Sequence, residues 1–443
     1  MNESTGKITV IGDNPEATLV SVLLAEIGNP NNIVGNGALP TARQSSLDEA
    51  GDEAHRFLNA HIRAGTIRRV EEVDQLDDGQ TQILIITDHA DDNAQAALVQ
   101  RRVHQVARVM TTDQLLLYTG LCPPSFTEQR LGPVLERQSG LKVGEDIGLC
   151  YLPLLCNGEA LHQFREVPRI IAGTPKHGLE KIQEILLPAF PSLTVAQSIS
   201  SAETAGLITP VCQDVFQALE LELAQVCAAR KVDYSNVMRL CGRGIFASPK
   251  STSRIDRNDM LASRIVLDVI GSRNRPLMIR TARRINQKAP QQVLAMVKDA
   301  LALCGRRMNR SKIAILGVEG LGLGFNDGFR DLEVVRTLVR RGAIISFYPG
   351  EQKAGITTPE RVDGRPWRVR VEPDLTRAVQ KAQCAIIALK PSILESLALS
   401  PQKLAVEMDH PAAICDLSGV LEASNVERSG LFYTSFGRGN LLS

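Results

Sequence analysis

Two short β-branched runs, each closed by a glycine, stand far apart in this chain: Lys7-Ile-Thr-Val-Ile-Gly12 and Lys312-Ile-Ala-Ile-Leu-Gly317. A run of this kind, too short for a helix and stopped by glycine, reads as a buried strand opening a βαβ unit. Two of them commit the chain to two α/β halves. Between them, from Ala202 to Arg230, Val211, Val215, Leu219, Leu223 and Val226 recur at helical spacing, with Cys212, Phe216 and Cys227 widening the stripe. The spacing predicts one long helix joining the halves, with a broad apolar face that is buried against a partner.

With 443 residues the chain has room for two or three domains and a large core. Its formal charge of +1 argues against a nucleic-acid or anionic-membrane partner held by bulk electrostatics. The nine cysteines are scattered without a CxxC pair, so neither a metal site nor a disulfide framework is expected. No basic leader precedes an apolar stretch at the N-terminus, and no apolar run is long enough to span a bilayer, which predicts a cytoplasmic protein. His89, Asp91 and Asp92, after the strand Gln82-Ile-Leu-Ile-Ile-Thr87, are expected to form a solvated turn and helix cap, not a metal cluster.

A dinucleotide lies with its pyrophosphate on the first helix N-terminus, and a G-x-G-x-x-G turn lets the backbone approach it. Here the turn reads Gly12-Asp13-Asn14-Pro15-Glu16-Ala17. Only Gly12 is kept. Asn14 crowds the phosphate path, and Asp13 and Glu16 bring negative charge to it. Asn36 and Gly37 stand where an acidic residue would hold the ribose.

Further on the chain reads Tyr151-Leu-Pro-Leu-Leu-Cys-Asn-Gly158-Glu-Ala-Leu-His162-Gln-Phe164, then Val167-Pro-Arg-Ile-Ile-Ala-Gly173. This resembles the UDP-glucose/GDP-mannose 6-dehydrogenase family, most nearly the branch acting on UDP-N-acetylhexosamines, whose pattern is S-P-E-R-x-x-P-G-N-A-L-H-E-F followed by P-R/K-v-v-G-G. Glu203-Thr-Ala-Gly-Leu to Glu222-Leu-Ala is similar to the family's E-x-A-K-L-x-x-N…N-E-L-A helix, and Ala282-Arg-Arg-Ile-Asn286 through Pro290 to its A-R-x-x-N-x-x-x-P. Asp416-Leu-Ser-Gly419 and Tyr433-Thr-Ser-Phe-Gly-Arg-Gly439 resemble its D-x-R-G and y-x-x-x-G-R-G. The resemblance covers essentially the whole chain. It implies an N-terminal Rossmann-like domain over residues 1–198, a central helical dimerisation domain over 199–305 and a C-terminal α/β domain of UDP-sugar-binding type over 306–443, two doubly wound domains joined by a helical middle.

The family oxidises a sugar C6 alcohol to a carboxylate in two NAD-dependent steps, using a cysteine nucleophile, a lysine and an asparagine at the alkoxide, and a glutamate that activates water. Each role needs its own chemical group. The glutamate position holds Pro153, and the lysine and asparagine positions hold Gly206 and Pro210, which also predicts that the helix proper begins near Pro210. The G-G-x-C loop falls between Gly244 and Leu261 without a cysteine, so Asp259 or Met260 occupies the nucleophile's place, and Cys241 lies before the loop. In D-x-R-G the arginine is Ser418.

Catalysis by the family's route is therefore not expected, and no cofactor is expected. The implied role is a non-catalytic partner or regulator in bacterial polysaccharide or glycosylated-metabolite biosynthesis, as a homodimer or as a heterodimer with an active paralogue. The alternative is an enzyme of altered chemistry on a nucleotide sugar or other phosphorylated ligand, with NAD as cofactor if it is a divergent dehydrogenase. Candidate phosphate-binding residues are Gly317, Gly320, Gly322 and Gly324, whose backbone amides could cradle a phosphate, with Lys250 and Arg254.

Overall fold

The computed structural model describes residues 7–35, 49–73, 81–155, 161–241, 257–270, 276–317, 333–348, 361–362, 365–366, 369–372, 374–389, 400–419 and 421–438. Contacts cluster the chain into two compact units. Of the described residues, the first holds those up to Cys212 together with 258–270 and Pro276, and the second holds 213–241, Arg257 and those from Leu277 onward.

In the first unit β1 (Lys7–Ile11), α1 (Pro15–Glu26), β2 (Asn31–Val34), α2 (Glu49–Ala64), β3 (Ile67–Val70), β4 (Thr81–Ile86), α3 (Asn93–Val109) and β5 (Leu115–Tyr118) follow one another. Then come α4 (Gly132–Ser139), β6 (Gly148–Tyr151), α5 (Leu161–Glu166), β7 (Arg169–Thr174), α6 (Lys176–Leu186) and β8 (Leu193–Val195). The sheet order is β3-β2-β1-β4-β5-β6-β7-β8, parallel except where β7 runs against β6. Such a sheet is covered on both faces, which is why β5 (Leu-Leu-Leu-Tyr) and β6 (Gly-Leu-Cys-Tyr) are buried at every position. The chain reverses its winding between β1 and β4, and in open α/β sheets the crevice beyond such a point is where ligands bind.

α7 (Ile199–Ala229) follows, then α8 (Tyr234–Cys241), α9 (Arg257–Ile270), α10 (Leu277–Asn286) and α11 (Ala289–Leu303). The second unit is completed by β9 (Lys312–Gly317), α12 (Glu333–Arg340), β10 (Ile344–Tyr348), the two-residue strands β11 (Arg361–Val362) and β12 (Arg365–Pro366), β13 (Val369–Val371), α13 (Leu375–Val379), β14 (Cys384–Ala388), β15 (Ala413–Asp416) and β16 (Phe432–Ser435). Its main sheet, β13-β10-β9-β14-β15-β16, is parallel throughout. Counted from its own first strand, this is the same winding as β3-β2-β1-β4-β5-β6. Two doubly wound α/β sheets, as expected from the paired strand signals, are present.

Two expectations about α7 are corrected. The helix does not begin near Pro210 but runs continuously through it. A proline ring clashes with the carbonyl four residues back, and here that carbonyl belongs to Gly206, a residue free to tilt its peptide. Nor is the predicted stripe buried throughout: Val211 and Cys227 are, but the rest is half-buried or exposed. The inward face is Ala202, Leu207, Val211, Ala218, Leu221, Ala224 and Cys227, while Ile208 (55 %), Phe216 (53 %), Leu219 (40 %) and Val226 (60 %) are exposed. The helix is apolar nearly all round, and within each unit only one side of it is covered.

Candidate functional site

The crevice beyond β1 and β4 is built from the turn Gly12–Glu16. Gly12 has no room for a side chain, because a Cβ there would overlap the Thr87 hydroxyl at the end of β4. Asn14 is the N-cap of α1. Its Oδ1 accepts the Ala17 N–H (3.2 Å) and the Thr87 hydroxyl (2.6 Å), and its Nδ2 donates to the Thr87 carbonyl (2.6 Å). A glycine would leave this turn loose, whereas Asn14 staples it to β4.

Charge fills the rest of the crevice. Arg102, from α3, bonds Asp13 at 2.5 Å and places its Nε 3.5 Å from Asp88, while Asp88 accepts the Asp13 N–H at 3.2 Å. Burial pushes the Asp88 carboxyl up, and the Arg102 guanidinium opposes the shift. Glu16 and His89 are both buried, with His89 Nε2 3.9 Å from Glu16. Because His89 Nδ1 accepts the Leu121 N–H at 3.0 Å, the proton belongs on Nε2, facing the carboxylate. The solvated turn expected at His89 and Asp91 is thus corrected: both are buried, and Asp91 is paired with Arg264 of α9. Asp92 does cap α3, accepting the Ala94 and Gln95 N–H groups. Among the described residues no group of three or more His, Cys, Asp or Glu could hold a metal ion.

This crevice does not suit a dinucleotide bound in the usual way. At the end of β2, Gly35 lies so close to the turn that a Cβ would be 2.6 Å from the Gly12 carbonyl and 2.7 Å from the Asp13 carboxylate. Gly35 therefore has to be a glycine for β2 to end this close to the Asp13 carboxylate. A pyrophosphate on α1 would compete with Arg102 for the surroundings of the Asp13 carboxylate and would meet like charge there.

The positions that the resemblance gives to catalysis are also filled. Gly206 and Pro153 are buried in contact: a Cβ on Gly206 would stand 2.9 Å from the Pro153 Cβ and 3.4 Å from the Tyr151 hydroxyl. Pro210 is buried one turn on. Asp259 and Met260 lie in the first turn of α9, with Met260 half-buried, and Cys241 is an exposed thiol ending α8. Gly317 closes β9 at a φ of +81°, where a Cβ would overlap the Ala388 carbonyl of β14, so this glycine has a packing reason of its own. Gly320, Gly322, Gly324, Lys250 and Arg254 lie outside the described residues.

Three buried polar centres involve residues of the resembling motifs, Glu203, Asn286 and Asp416, but their partners were not legible, since nothing in a residue's identity announces a tertiary partner. Glu203, on α7, accepts the N–H groups of Ser125 and Thr127 and the Cys122 thiol at 3.5 Å, and burial pushes its carboxyl up. Asp416 accepts N–H groups from Ser418, Gly419 and Leu421 and the Tyr433 hydroxyl, while Ser418 turns its hydroxyl back to the Leu389 carbonyl. Asp214 of α7 bonds Arg283 and Asn286 of α10, each at 2.7 Å. Each ties an element to a loop or helix; none joins the residues of the catalytic positions.

Searches of family models find no match. Protein CapL of Staphylococcus aureus is 31 % identical over 139 residues, 31 % of this chain and 33 % of that protein, so the match spans about a third of its length. UDP-N-acetyl-D-mannosamine dehydrogenase of Pyrococcus horikoshii is 22 % identical over 295 residues, 65 % of this chain and 70 % of that protein. The solved UDP-D-ManNAc dehydrogenase from P. horikoshii superposes with a TM-score of 0.75 at 19 % identity, covering 98 % of this chain and 100 % of its own. The chain is similar to these nucleotide-sugar dehydrogenases over part of its sequence and shares their fold. A UDP-glucose dehydrogenase from the archaeon Pyrobaculum islandicum gives a TM-score of 0.73 at 15 % identity over 99 % of both chains. The fold is thus shared along nearly the whole chain at sequence identities of 19 % and 15 %. Among its described residues no helix is long and apolar enough to cross a membrane.

Proposed function

We propose that this nucleotide-sugar dehydrogenase-like chain has given up the oxidation and acts as a partner or regulator in bacterial polysaccharide or glycosylated-metabolite biosynthesis. The observation that carries this reading is the contact between Gly206 and Pro153. Two positions where the resemblance places a lysine and a glutamate are held by residues with no side-chain donor or base, and the space between them is closed. Groups that act together in catalysis leave little activity when several are gone. The partner is a second copy or an active paralogue, docked on the exposed side of α7 around Leu219 and Val226.

The test is direct. Purified protein incubated with NAD and UDP-N-acetylmannosamine, UDP-N-acetylglucosamine or UDP-glucose is expected to form no NADH, and sustained formation would overturn the reading. The second reading, altered chemistry on a nucleotide sugar, draws support from the second doubly wound sheet, which winds as the first does around β9 and β14. It predicts that UDP-sugars raise the melting temperature, since a ligand at a hundred times its Kd adds about 2.7 kcal/mol. If nucleotide sugars leave it unchanged, that reading fails.

A further inference from the structure

We propose that the crevice of the N-terminal sheet is occupied from within, Arg102 serving as a built-in ligand that orders the β1–α1 turn and excludes dinucleotides. The inference deepens the non-catalytic reading and rests on it only in sharing the same fold. It starts from an imbalance. Asp13, Glu16, Asp88 and Asp91 converge on one turn and the end of one strand, and three of the four are buried. Unpaired, they would repel one another and push the turn away from β4. Two counter-charges come from outside the turn, Arg102 spanning Asp13 and Asp88 and Arg264 meeting Asp91, while Glu16 is faced by the Nε2 proton of the neutral His89 ring.

Arg102 is the member that does a ligand's work. It reaches from α3 across the crevice to the two carboxylates that sit on either side of the β1–β4 switch point. A planar guanidinium with several fixed donors can bridge two such groups, which a lysine ammonium does less well. A bound pyrophosphate orders the same turn in the opposite sense, by accepting from backbone N–H groups at the helix N-terminus. Here that polarity is reversed. The Asp13 N–H is turned to Asp88, the Ala17 N–H is taken by Asn14, and the Asp13 carboxylate needs a cation.

The experiment compares the full-length wild type with Arg102→Met, Arg102→Lys and the triple variant Asp13→Asn/Asp88→Asn/Arg102→Met by thermal unfolding, with and without millimolar NAD, NADH or NADP. Wild type is expected to show no shift with any dinucleotide. Arg102→Met should melt about 4 °C lower or fail to fold, Arg102→Lys should fall between, and the triple variant should regain most of the loss because the orphaned charges are gone. A saturable rise in melting temperature of the wild type with a dinucleotide overturns the inference, as does an Arg102→Met protein as stable as wild type or a triple variant no better than Arg102→Met. Dinucleotide binding without NADH formation would sink this inference and leave the non-catalytic reading standing. NADH formation from a nucleotide sugar would sink the latter.

Discussion

Glycines and carboxylates decide most of what is unusual here, and they do so one contact at a time. Gly206 is the clearest case. Restoring the lysine of the resemblance at this position would drive a side chain into Pro153 in a packed interior, so Gly206→Lys alone is expected to cost about 1–3 kcal/mol in urea unfolding and to yield no oxidation of UDP-sugars. An undiminished midpoint would show that the contact yields easily. Glu220, half-buried on α7, makes a different prediction. Burial pushes its carboxyl up to about 7 from an ordinary 4.5. Between those values the folded chain keeps a proton that the unfolded chain has released, so stability falls as pH rises from about 4.5 to 7 and is level above. Glu220→Gln removes that cost. The variant should be more stable than wild type at pH 8, by on the order of 2 kcal/mol, and equal to it near pH 4. A wild-type profile unchanged by the substitution would place the carboxylate in better solvent contact than its surroundings suggest.

At the scale of elements, α7 is the one that asks for something more. Its inward face is accounted for by the cores of the two units, yet Leu219 and Val226 remain in solvent on the other side. An amphipathic surface helix normally turns a polar face outward. Leu219→Glu with Val226→Glu is therefore expected to convert a dimer to a monomer in light scattering at micromolar concentration, with little change in helix content. A wild-type protein that is already monomeric would refute the docking role assigned to this face. The sequence made the helix and its apolar residues visible, but it could not say which side was inward. The stripe chosen by spacing, Val211, Val215, Leu219, Leu223 and Val226, is inward only at Val211 and competes with a second one made of Ala202, Leu207, Ala218, Leu221 and Ala224, where small alanines pack closely and larger residues do not fit. Hydrophobicity alone favours the larger side chains, whereas packing at close range selects the smaller ones.

At the scale of the whole molecule, each unit owns separate apolar clusters on the faces of its own sheet, Ile8, Val10 and Leu24 among those of the first and Ile313, Val335 and Phe347 among those of the second. Calorimetry is expected to depart from a single two-state transition, with a calorimetric enthalpy larger than the van't Hoff value. Agreement of the two would mean that the units unfold together. What the sequence determined alone was the architecture: short apolar runs ended by glycine read as buried strands of two α/β halves, and the resemblance implies that both are doubly wound. The resemblance also pointed to Pro153, Gly206 and Pro210 as the positions that bear on the proposed loss of catalysis, because chemistry is carried by residue type. Only the tertiary structure decided that Gly206 rests on Pro153, that Arg102 answers Asp13 and Asp88, and that Glu203 holds the loop at Ser125. Those pairings join residues far apart in the chain, and local periodicity holds no information about which distant charge or surface will neutralise or fill a given space.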